Sequence, residues 1–572
     1  MTSKIYSKKQ LAVILLLFLF MIVQELISIR SNSLTSDETL YIGAGKEIFE
    51  TGNLRSIVVM AHPPLSYYIG SIFLIPLKFD RNLWEYDDWN RGQNLIFHSG
   101  YDPDLIIFLS RIPFILLSCF VAIYVLKWAS ELYGVKSGLA ALFFYSLNPS
   151  IIAYSGIATT DFTPAAMMFI SMYYFWKLVK EPAAKHLVLT GIFTGLALLS
   201  KITAILLILI FLVIYSTLIF KNYSKLRLKI FSRNILIILL ISYFLIFSFY
   251  GFQFDTLSNA LPKKFYVEKT RNELSKFTFS EPLIYIYENV PIPTPSYFAE
   301  IGYLFFISGN PNPGYLFGKI TQNVVWYYVY VTFIIKTSVP FLIFLLLLLV
   351  FRKKLPKKDL VSNLALWLPV LIIFVNFSVT NKISGVRHIL AVYLFMSVSV
   401  SNVVNAKIRA KRAYNFILLA LLSYYAASSL LISPDYMAYI NELGGGPANG
   451  HKIVVGSNID HGQDLFRLKQ YMDKNEIKKI KLSYFGQADP KGYNISYEYL
   501  PVPSFLVWAP DYTFLSLKER EEDCSRKTGY LAISITNLEN VHLVNKTCFN
   551  WLKERKIDQR IGYSIFFYNI TS

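Results

Sequence analysis

The apolar stretch LAVILLLFLFMIVQELISI at residues 11–29 decides the fold of this chain. A run of this length and composition can cross the hydrocarbon core of a bilayer as a helix. Hydrophobic residues make up 54% of the 572 residues and charged residues only 16%, whereas soluble domains average about 25% charged residues. Similar runs recur at roughly 105–126, 138–157, 163–179, 187–200, 202–220, 235–252, 325–351, 362–380, 388–404 and 413–432. The sequence therefore predicts a multispan α-helical membrane protein with about eleven transmembrane helices.

The remaining composition excludes several other classes of protein. The 45 Phe and 40 Tyr residues must be buried somewhere, which excludes a disordered chain. The 3 cysteines are too few for a disulfide-stapled scaffold. The net charge of +19 would suggest nucleic-acid binding if it were clustered on a soluble module, but residues 434–572 hold 17 Lys+Arg and 16 Asp+Glu. The excess charge therefore lies in the membrane part, and no nucleic-acid partner is predicted.

The basic residues instead indicate how the chain crosses the membrane. The segment 64–78, PLSYYIGSIFLIPLK, contains two prolines and is short for a span, so we expect it on the outer surface. Basic clusters at 221–229, 352–358 and 406–412 then face the cytoplasm, as the positive-inside rule requires. We expect an integral, multi-pass protein of the cell (plasma) membrane with a cytoplasmic N-terminus and an extracytoplasmic C-terminal part. Large outer loops are expected at 30–104 and 253–324, and small outer turns at 158–162 and 381–387.

Residues 434–572 lose the membrane-like pattern, so the chain is divided into a transmembrane module, 1–433, and a smaller outer domain, 434–572. Short apolar runs in the tail predict buried strands: KIVVG at 452–456, KKIKLSYFG at 478–486 and GYLAISI at 529–535. The segment 464–475 between them predicts an amphipathic helix. A small extracytoplasmic α/β domain is therefore expected. Cys524 and Cys548 both fall in it, either as a disulfide or as two free thiols.

Two acidic positions at the outer ends of apolar runs are the main candidates for chemistry. Asp37 and Glu38 follow the first run in SDETLYIGAGKEIFETG, and Asp161 lies in the short turn GIATTDFTP. Each could simply cap the helix that follows it. The sharper interpretation is a carboxylate at the bilayer–water boundary that acts as a general base. His62 lies just before the short interfacial segment and is a candidate for substrate binding, although a lone histidine is usually only a polar surface residue.

Three cations near the outer leaflet complete the set of candidates. Lys201 interrupts two apolar runs in GLALLSKITAIL, where a cation is costly unless it reaches the interface or pairs with an anion. Arg387 and His388 occupy the last outer turn, and Lys336 inside a span is a weaker third candidate. An anionic lipid headgroup suits such cations, while a snorkelling lysine is the plainer alternative. The sequence has no HExxH motif, no Cys/His cluster with zinc spacing and no Gly-rich phosphate loop.

These residues carry a resemblance to the GT-C class of membrane glycosyltransferases. The chain is most similar to family 39, the protein O-mannosyltransferases and prokaryotic lipid-carrier-dependent glycosyltransferases. The matching segments are SDETLYIGAGKEIFETG, AHPPLSYYIGS, LSRIPFIL, GIATTDFTPAAMM, GLALLSKITAIL, GVRHILAVY and, in the tail, YINELGGGPANG and SNIDHGQDLFRL. One departure is His461, because such proteins usually have Trp before the Gly-Gln-Asp.

The resemblance implies an inverting transfer of a sugar from a polyprenyl- or dolichyl-phosphate carrier to an acceptor hydroxyl at the outer face. It implies that Asp37 is the general base, with Glu38 beside it, that Asp161 organises the site, and that Lys201, Arg387 and His388 hold the donor phosphate. Tyr41 and His62 are the candidates for substrate contact. The acceptor is a protein, a lipid or a glycan, and the surrounding partner is membrane lipid. No cofactor and no dedicated metal ligands are predicted, although a divalent metal is not excluded.

Two other classes of protein remain as alternatives at this stage. A multispan lipid or solute transporter, or flippase, would share the polytopic body, but transporters usually place charges near the midplane and show repeated halves. A non-catalytic assembly factor would use the outer domain for binding. Transfer of sugar from a lipid carrier distinguishes the enzyme from both alternatives.

Overall fold

The computed structural model describes residues 6–54, 62–85, 88–221, 225–261, 264–277, 279–308, 313–323, 325–356, 358–380, 385–503, 506 and 523–571. The α-helices before residue 250 are Lys8–Ser31, Glu38–Thr51, Leu65–Ser71, Asp88–Phe97, Pro103–Tyr133, Val135–Ser146, Pro149–Ser155, Phe162–Lys180, Ala184–Leu198, Leu206–Lys221 and Lys225–Phe249. Those after it are Leu257–Ala260, Lys264–Leu274, Ser280–Asn289, Pro295–Ser308, Tyr328–Lys336, Val339–Val350, Leu360–Val379, Leu390–Val400, Lys411–Leu430, Leu465–Lys474, Ile535–Leu538 and Asn550–Lys553. The long helices pack around one apolar core, in which Trp128 and Tyr145 are fully buried.

The structure confirms the multispan helical fold. Seven helices of the described residues are long and apolar enough to cross a membrane, namely Lys8–Ser31, Pro103–Tyr133, Ile202–Phe220, Leu228–Phe249, Leu360–Val379, Val386–Asn405 and Lys411–Leu430. An eighth span results if Tyr328–Lys336 and Val339–Val350, which meet at 108°, are counted as one broken span. The predicted number of about eleven is not confirmed, because the runs 138–157, 163–179 and 187–200 do not form helices of this kind.

Two of those runs fall short for identifiable physical reasons. The run 138–157 is interrupted at Asn148, whose side chain accepts hydrogen bonds from two backbone N–H groups of the next helix. Asn is a favoured N-cap, and the Pro149 that follows disfavours helical geometry in the residue before it. The run 187–200 forms the 15-residue helix Ala184–Leu198, which at 1.5 Å per residue is about 22 Å long and shorter than a bilayer core.

The segment 64–78, which is expected at the outer surface, contains a short apolar helix, Leu65–Leu74, that is not among the candidate spans. Helix Glu38–Thr51 packs against it very closely, since a Cβ atom on Gly45 would lie 2.4 Å from the carbonyl oxygen of Tyr67. Only glycine permits this approach. The helix that begins directly after Asp37 is therefore held against a second helix from the same stretch of chain, residues 30–104.

The tail contains the predicted mixture of strands and helices. Its five-stranded sheet runs in the order Tyr497–Tyr499, Ile480–Ser483, Gly529–Ser534, Ile565–Ile570 and Gln559–Ile561. The first three strands pair in parallel and the last two antiparallel to their neighbours. The predicted helix is present as Leu465–Lys474, with its apolar face buried. Cys524 and Cys548 form a disulfide. The division at residue 433 into two domains stays a prediction.

The predicted strand at 452–456 is wrong. This segment instead forms two short 3-10 turns, Gly450–Lys452 and Gly456–Asn458. Gly456 has a φ of +62°, a left-handed conformation that ends an extended run. Val454 is nonetheless buried. The apolar pattern therefore predicted the burial of this segment correctly but its strand conformation incorrectly. Two shorter antiparallel pairs lie in the loop 253–324: Phe254–Asp255 with Ile292–Pro293, and Gly314–Leu316 with Lys319–Thr321.

Candidate active site

Asp37 occupies a strained backbone position at the start of helix Glu38–Thr51. Its φ is +77°, which is uncommon for a residue other than glycine and is best tolerated by Asp and Asn. Its side chain makes no capping hydrogen bond to that helix, so the predicted alternative of a plain N-cap does not describe it. The side chain of Asp37 is 27% exposed to solvent. Strained residues of this kind cluster at functional sites, because the surrounding structure has to hold them in place.

Glu38 lies next in sequence but points away from Asp37 into the protein. Its carboxylate forms a fully buried ion pair with Arg111, at 2.6 Å between Glu38 Oε2 and Arg111 Nη2. It also accepts hydrogen bonds from the backbone N–H groups of Thr35 and Ala158. Burial alone would raise the pKa of Glu38, but the charge of Arg111 and the hydrogen bonds from Arg111, Thr35 and Ala158 together outweigh burial and lower the pKa. Glu38 therefore joins the chain before Asp37 to the turn before Asp161, and it lines none of the site cavities described below.

Asp161 and Lys201 meet through direct contact. Lys201 Nζ lies 3.1 Å from Asp161 Oδ1, and both side chains are largely buried. Asp161 precedes helix Phe162–Lys180 and does not cap it through its side chain. Burial alone would raise the pKa of Asp161, but the charges of Lys201 and Arg387 outweigh burial and hold it well below its usual range. The carboxylate is therefore ionised at neutral pH.

Arg387 connects the two acidic residues. Its Nη1 atom lies 3.2 Å from Asp37 Oδ2 and 3.4 Å from Asp161 Oδ2. The Nε–H group of Arg387 is buried and has no acceptor among the described residues. His388 Nδ1 lies 3.4 Å from Lys201 Nζ and 3.7 Å from Asp161 Oδ1. Two acidic and two basic side chains from four distant stretches of the chain thus form one cluster at the ends of the long helices.

A cavity of 230 Å³ opens onto this cluster. Its lining contains seven of the eight residues predicted for the site: Asp37, Tyr41, His62, Asp161, Lys201, Arg387 and His388. A second cavity of 30 Å³ shares Asp161, Lys201, Thr203, Phe377, Arg387 and His388 with the first but not Asp37. The rest of its lining is Pro164, Ala165, Met168, Leu206, Ile373 and Ala391. The larger cavity is called the chamber, and apolar helix side chains adjoin its charged end.

Tyr41 lies on the wall of the chamber. Its hydroxyl oxygen is 3.5 Å from Thr160 Oγ1, and its ring packs edge-on against His62 at 6.2 Å between ring centroids. Burial and then the negative charge of Asp37 raise the pKa of Tyr41 well above its usual value. The phenol therefore stays protonated and can donate a hydrogen bond to a ligand.

Two residues stand outside the expectations from the sequence. Lys336, the weaker candidate, lies away from the cluster, where its ammonium donates to the carbonyl oxygens of Met437 and Asn458 at 2.6 Å each. His461, which was noted only as a departure from the family pattern, lies in the cluster, with Nε2 at 3.1 Å from Arg387 Nη1. Sequence distance hid this contact, because 74 residues separate the two side chains.

The described residues contain no group of three or more His, Cys, Asp or Glu side chains placed to hold a metal ion. The positive charge in the chamber is supplied by Lys201 and Arg387 instead.

The fold and site define a multispan membrane protein with a chamber lined by two carboxylates and two basic side chains at the helix ends. Residues 107–248 match the family model described as dolichyl-phosphate-mannose-protein mannosyltransferase. The match confirms the predicted resemblance of the chain to the GT-C mannosyltransferases.

Solved structures of two other proteins are similar to this chain. ArnT from Cupriavidus metallidurans bound to undecaprenyl phosphate has 13% sequence identity, 97% coverage of each chain and a TM-score of 0.48. The archaeal oligosaccharyltransferase AglB from Archaeoglobus fulgidus, in complex with an inhibitory peptide and a dolichol-phosphate, has 12% identity and a TM-score of 0.44. That similarity covers 82% of this chain and 58% of the AglB chain. No curated protein matches the chain significantly.

Proposed function

We propose that this protein is a membrane glycosyltransferase that moves a sugar from a polyprenyl-phosphate carrier to an acceptor hydroxyl. The observation that carries the proposal is that Asp37, Lys201 and Arg387 line one cavity. This reaction needs a base and cations in one chamber, because it removes a proton on one side and releases an anionic phosphate on the other. The family match over residues 107–248 supports the same class of donor.

In the proposed reaction, the acceptor hydroxyl gives its proton to the carboxylate of Asp37 while its oxygen attacks the anomeric carbon of the sugar. The bond between that carbon and the phosphate oxygen breaks, and the electron pair leaves with the polyprenyl phosphate. Lys201 and Arg387 neutralise the charge that develops on the phosphate. Attack from the face opposite the leaving group inverts the anomeric configuration. Asp161 keeps both cations in place, since it contacts each of them.

The membrane arrangement belongs to the same proposal. The acids and cations of the site lie at the ends of different apolar helices, and the structure brings these ends together. We place this end at the outer face, with the N-terminus in the cytoplasm, because the basic clusters at 221–229, 352–358 and 406–412 then face inward. The acceptor partner is a protein, lipid or glycan that is accessible from that face.

The experiment that tests the proposal uses the purified full chain in sealed proteoliposomes. Radiolabelled polyprenyl-phosphate mannose is supplied with peptide, lipid and glycan acceptor fractions in parallel, and label in the acceptor and release of polyprenyl phosphate are both measured. Transfer with equal release of the carrier supports the proposal. Movement of the labelled lipid between leaflets without any transfer contradicts it and favours the flippase alternative.

Replacing Lys201 by Gln is expected to weaken donor use. The variant removes a charge that contacts the proposed phosphate site, and hydrogen bonds to charged groups contribute about 1.5–3 kcal/mol, so KM for the donor rises on the order of 10- to 100-fold. Initial rates against donor concentration measure the effect. Lys180→Gln is the matched control, because Lys180 pairs with Asp359 at the other end of helix Phe162–Lys180. Equal effects of the two variants would contradict the assignment.

Removal of divalent metal is expected to leave transfer unchanged. Lys201 and Arg387 already provide the positive charge that a metal ion would otherwise supply to a phosphate leaving group. Transfer rates are measured after dialysis against EDTA and again after Mg²⁺ or Mn²⁺ is added. A loss of activity on dialysis that either metal restores would show that the reaction needs a metal ion.

A further inference from the structure

The segment 458–464 of the C-terminal part contacts the proposed active site at three points. The His461 imidazole contacts Arg387, with Nε2 at 3.1 Å from Nη1. The His461 carbonyl oxygen accepts the backbone N–H of Ser36 at 2.7 Å, directly before Asp37. Asn458 Oδ1 accepts the backbone N–H of Val386 at 3.0 Å, directly before Arg387. One short segment therefore holds the residues that precede both the proposed base and the proposed phosphate ligand.

The segment is itself held firmly by the rest of the tail. Asp460 accepts hydrogen bonds from the N–H and the hydroxyl of Thr536. Gln463 spans the turn, because its amide oxygen accepts the His461 N–H and its amide nitrogen donates to the carbonyl oxygen of Ile459. Gly462 has a φ of +84°, and a Cβ atom there would lie 2.5 Å from the Tyr484 hydroxyl. The position of the His461 ring is therefore set by a rigid turn.

The chemistry of the contact has one consistent assignment. Arginine has only hydrogen-bond donors, so His461 Nε2 must accept, which requires a neutral ring with its proton on Nδ1. Burial and then the charge of Arg387 lower the pKa of His461 to about 4, in agreement with a neutral ring at physiological pH. A neutral acceptor orients the guanidinium without cancelling its charge. The two acidic partners of Arg387 cancel that charge in part, and Asp37 has to give up its contact to serve as a base.

We propose that His461 is a positioning residue that fixes Arg387 for the phosphate of the lipid carrier, so that the C-terminal part completes the active site. The proposal rests on the proposed function. When Asp37 turns to the acceptor hydroxyl, Arg387 keeps its contacts with Asp161 and His461, and the hydrogen bond to His461 holds the guanidinium without cancelling any of its charge. His461 acts through Arg387 and does not itself touch the reacting atoms.

The test compares two substitutions that differ in one property. His461→Gln keeps a neutral acceptor near the position of Nε2, whereas His461→Phe keeps the ring and removes the acceptor. We expect His461→Phe to weaken undecaprenyl phosphate binding and to raise the donor KM by about 10-fold or more, while the acceptor KM stays unchanged. For His461→Gln we expect the binding affinity and the donor KM to stay within about threefold of the wild-type values. Binding is measured with undecaprenyl phosphate in nanodiscs. His451→Phe is the matched control, since His451 packs against Phe566 in the tail and does not line the chamber.

The possible results separate the roles of His461. Wild-type behaviour of His461→Phe overturns the proposal, and so does an equal loss in both variants with an equal fall in Tm, which would indicate a purely structural role. In a double-mutant cycle of His461→Phe and Arg387→Met, stability is measured by thermal unfolding without ligand, and the two losses of stability are expected to be non-additive. In the cycle of His451→Phe and Arg387→Met, the two losses are expected to be additive. If the wild type binds no polyprenyl phosphate although the first cycle is non-additive, the proposed function fails and the contact with Arg387 stands.

Discussion

Replacing Asp37 by Asn is expected to lower kcat for sugar transfer by about 10²- to 10⁴-fold, because the acceptor hydroxyl loses the group that takes its proton. Asn is the informative substitution at this position. The φ of +77° suits Asn as well as Asp, so the amide should leave the backbone and the start of helix Glu38–Thr51 unchanged. An alanine would add backbone strain and confuse a catalytic loss with a folding loss. Initial rates with saturating polyprenyl-phosphate mannose measure the effect.

The control for this variant is another surface carboxylate. Asp473→Asn removes a charge from helix Leu465–Lys474, where Asp473 pairs with Lys469, and is expected to transfer at the wild-type rate. Undecaprenyl phosphate should still bind to Asp37→Asn, and binding should be somewhat tighter, since Arg387 loses an acidic competitor for the phosphate. Full transfer activity in Asp37→Asn would remove Asp37 from the mechanism, whatever the other residues of the site do.

The sequence predicted most of the chamber because its residues share a simple signal. Asp37, Asp161, Lys201 and Arg387 are ionisable side chains at the ends of apolar runs, where a charge needs a partner. Alternation of runs between the two faces places all four at the same end, and the structure brings them within hydrogen-bond distance in pairs. The sequence positions could not predict which acidic side chain pairs with which basic one, because that depends on how the helices pack.

Other features could not be predicted from local patterns. His461 lies in a polar turn of the tail, and only the folded turn directs it to Arg387. The Asn148-Pro149 sequence indicates the break in the helix, but the apolar run on both sides of it predicts a continuous span more strongly. The sequence predicts Glu38 as a catalytic residue together with Asp37, because the two acidic residues are adjacent. At the start of a helix adjacent side chains point in different directions, and Glu38 faces Arg111 instead.

The second large effect concerns this buried pair. Arg111 uses all five of its N–H donors: two to the carboxylate of Glu38, and three to the carbonyl oxygens of Ile29, Asn32 and Ser33 at 2.7–2.9 Å. Replacing Arg111 by Met leaves a carboxylate and three carbonyl groups buried without their partner. Breaking one side of a buried pair typically costs about 3–5 kcal/mol, so we expect a large fall in Tm when the variant is unfolded thermally in detergent.

Glu38→Gln distinguishes a structural from a catalytic role for Glu38. If Glu38 were catalytic, Glu38→Gln would lower the transfer activity and leave Tm unchanged. We expect instead that Glu38→Gln lowers Tm, and that activity falls only because the loops that carry Asp37 and Asp161 become less ordered. Because the pKa of Glu38 is lowered from 4.5 in the folded state, the pair stabilises the protein above that pH. This stability is lost as the pH falls through the lower folded-state value, so the variant should differ least from wild type in acid. A Tm unchanged at neutral pH would contradict the structural role.

The double variant Arg111→Met with Glu38→Gln gives the sharpest form of the argument. Removing both charges eliminates the uncompensated carboxylate, so the double variant should be more stable than Arg111→Met alone even though it carries one more substitution. The exposed pair Lys479–Glu498 provides the comparison, because an ion pair on the surface contributes little and its single variants should unfold like the wild type. If the double variant instead lost the sum of the two single losses, the stabilisation would come from the separate hydrogen bonds of each residue and not from their mutual charge.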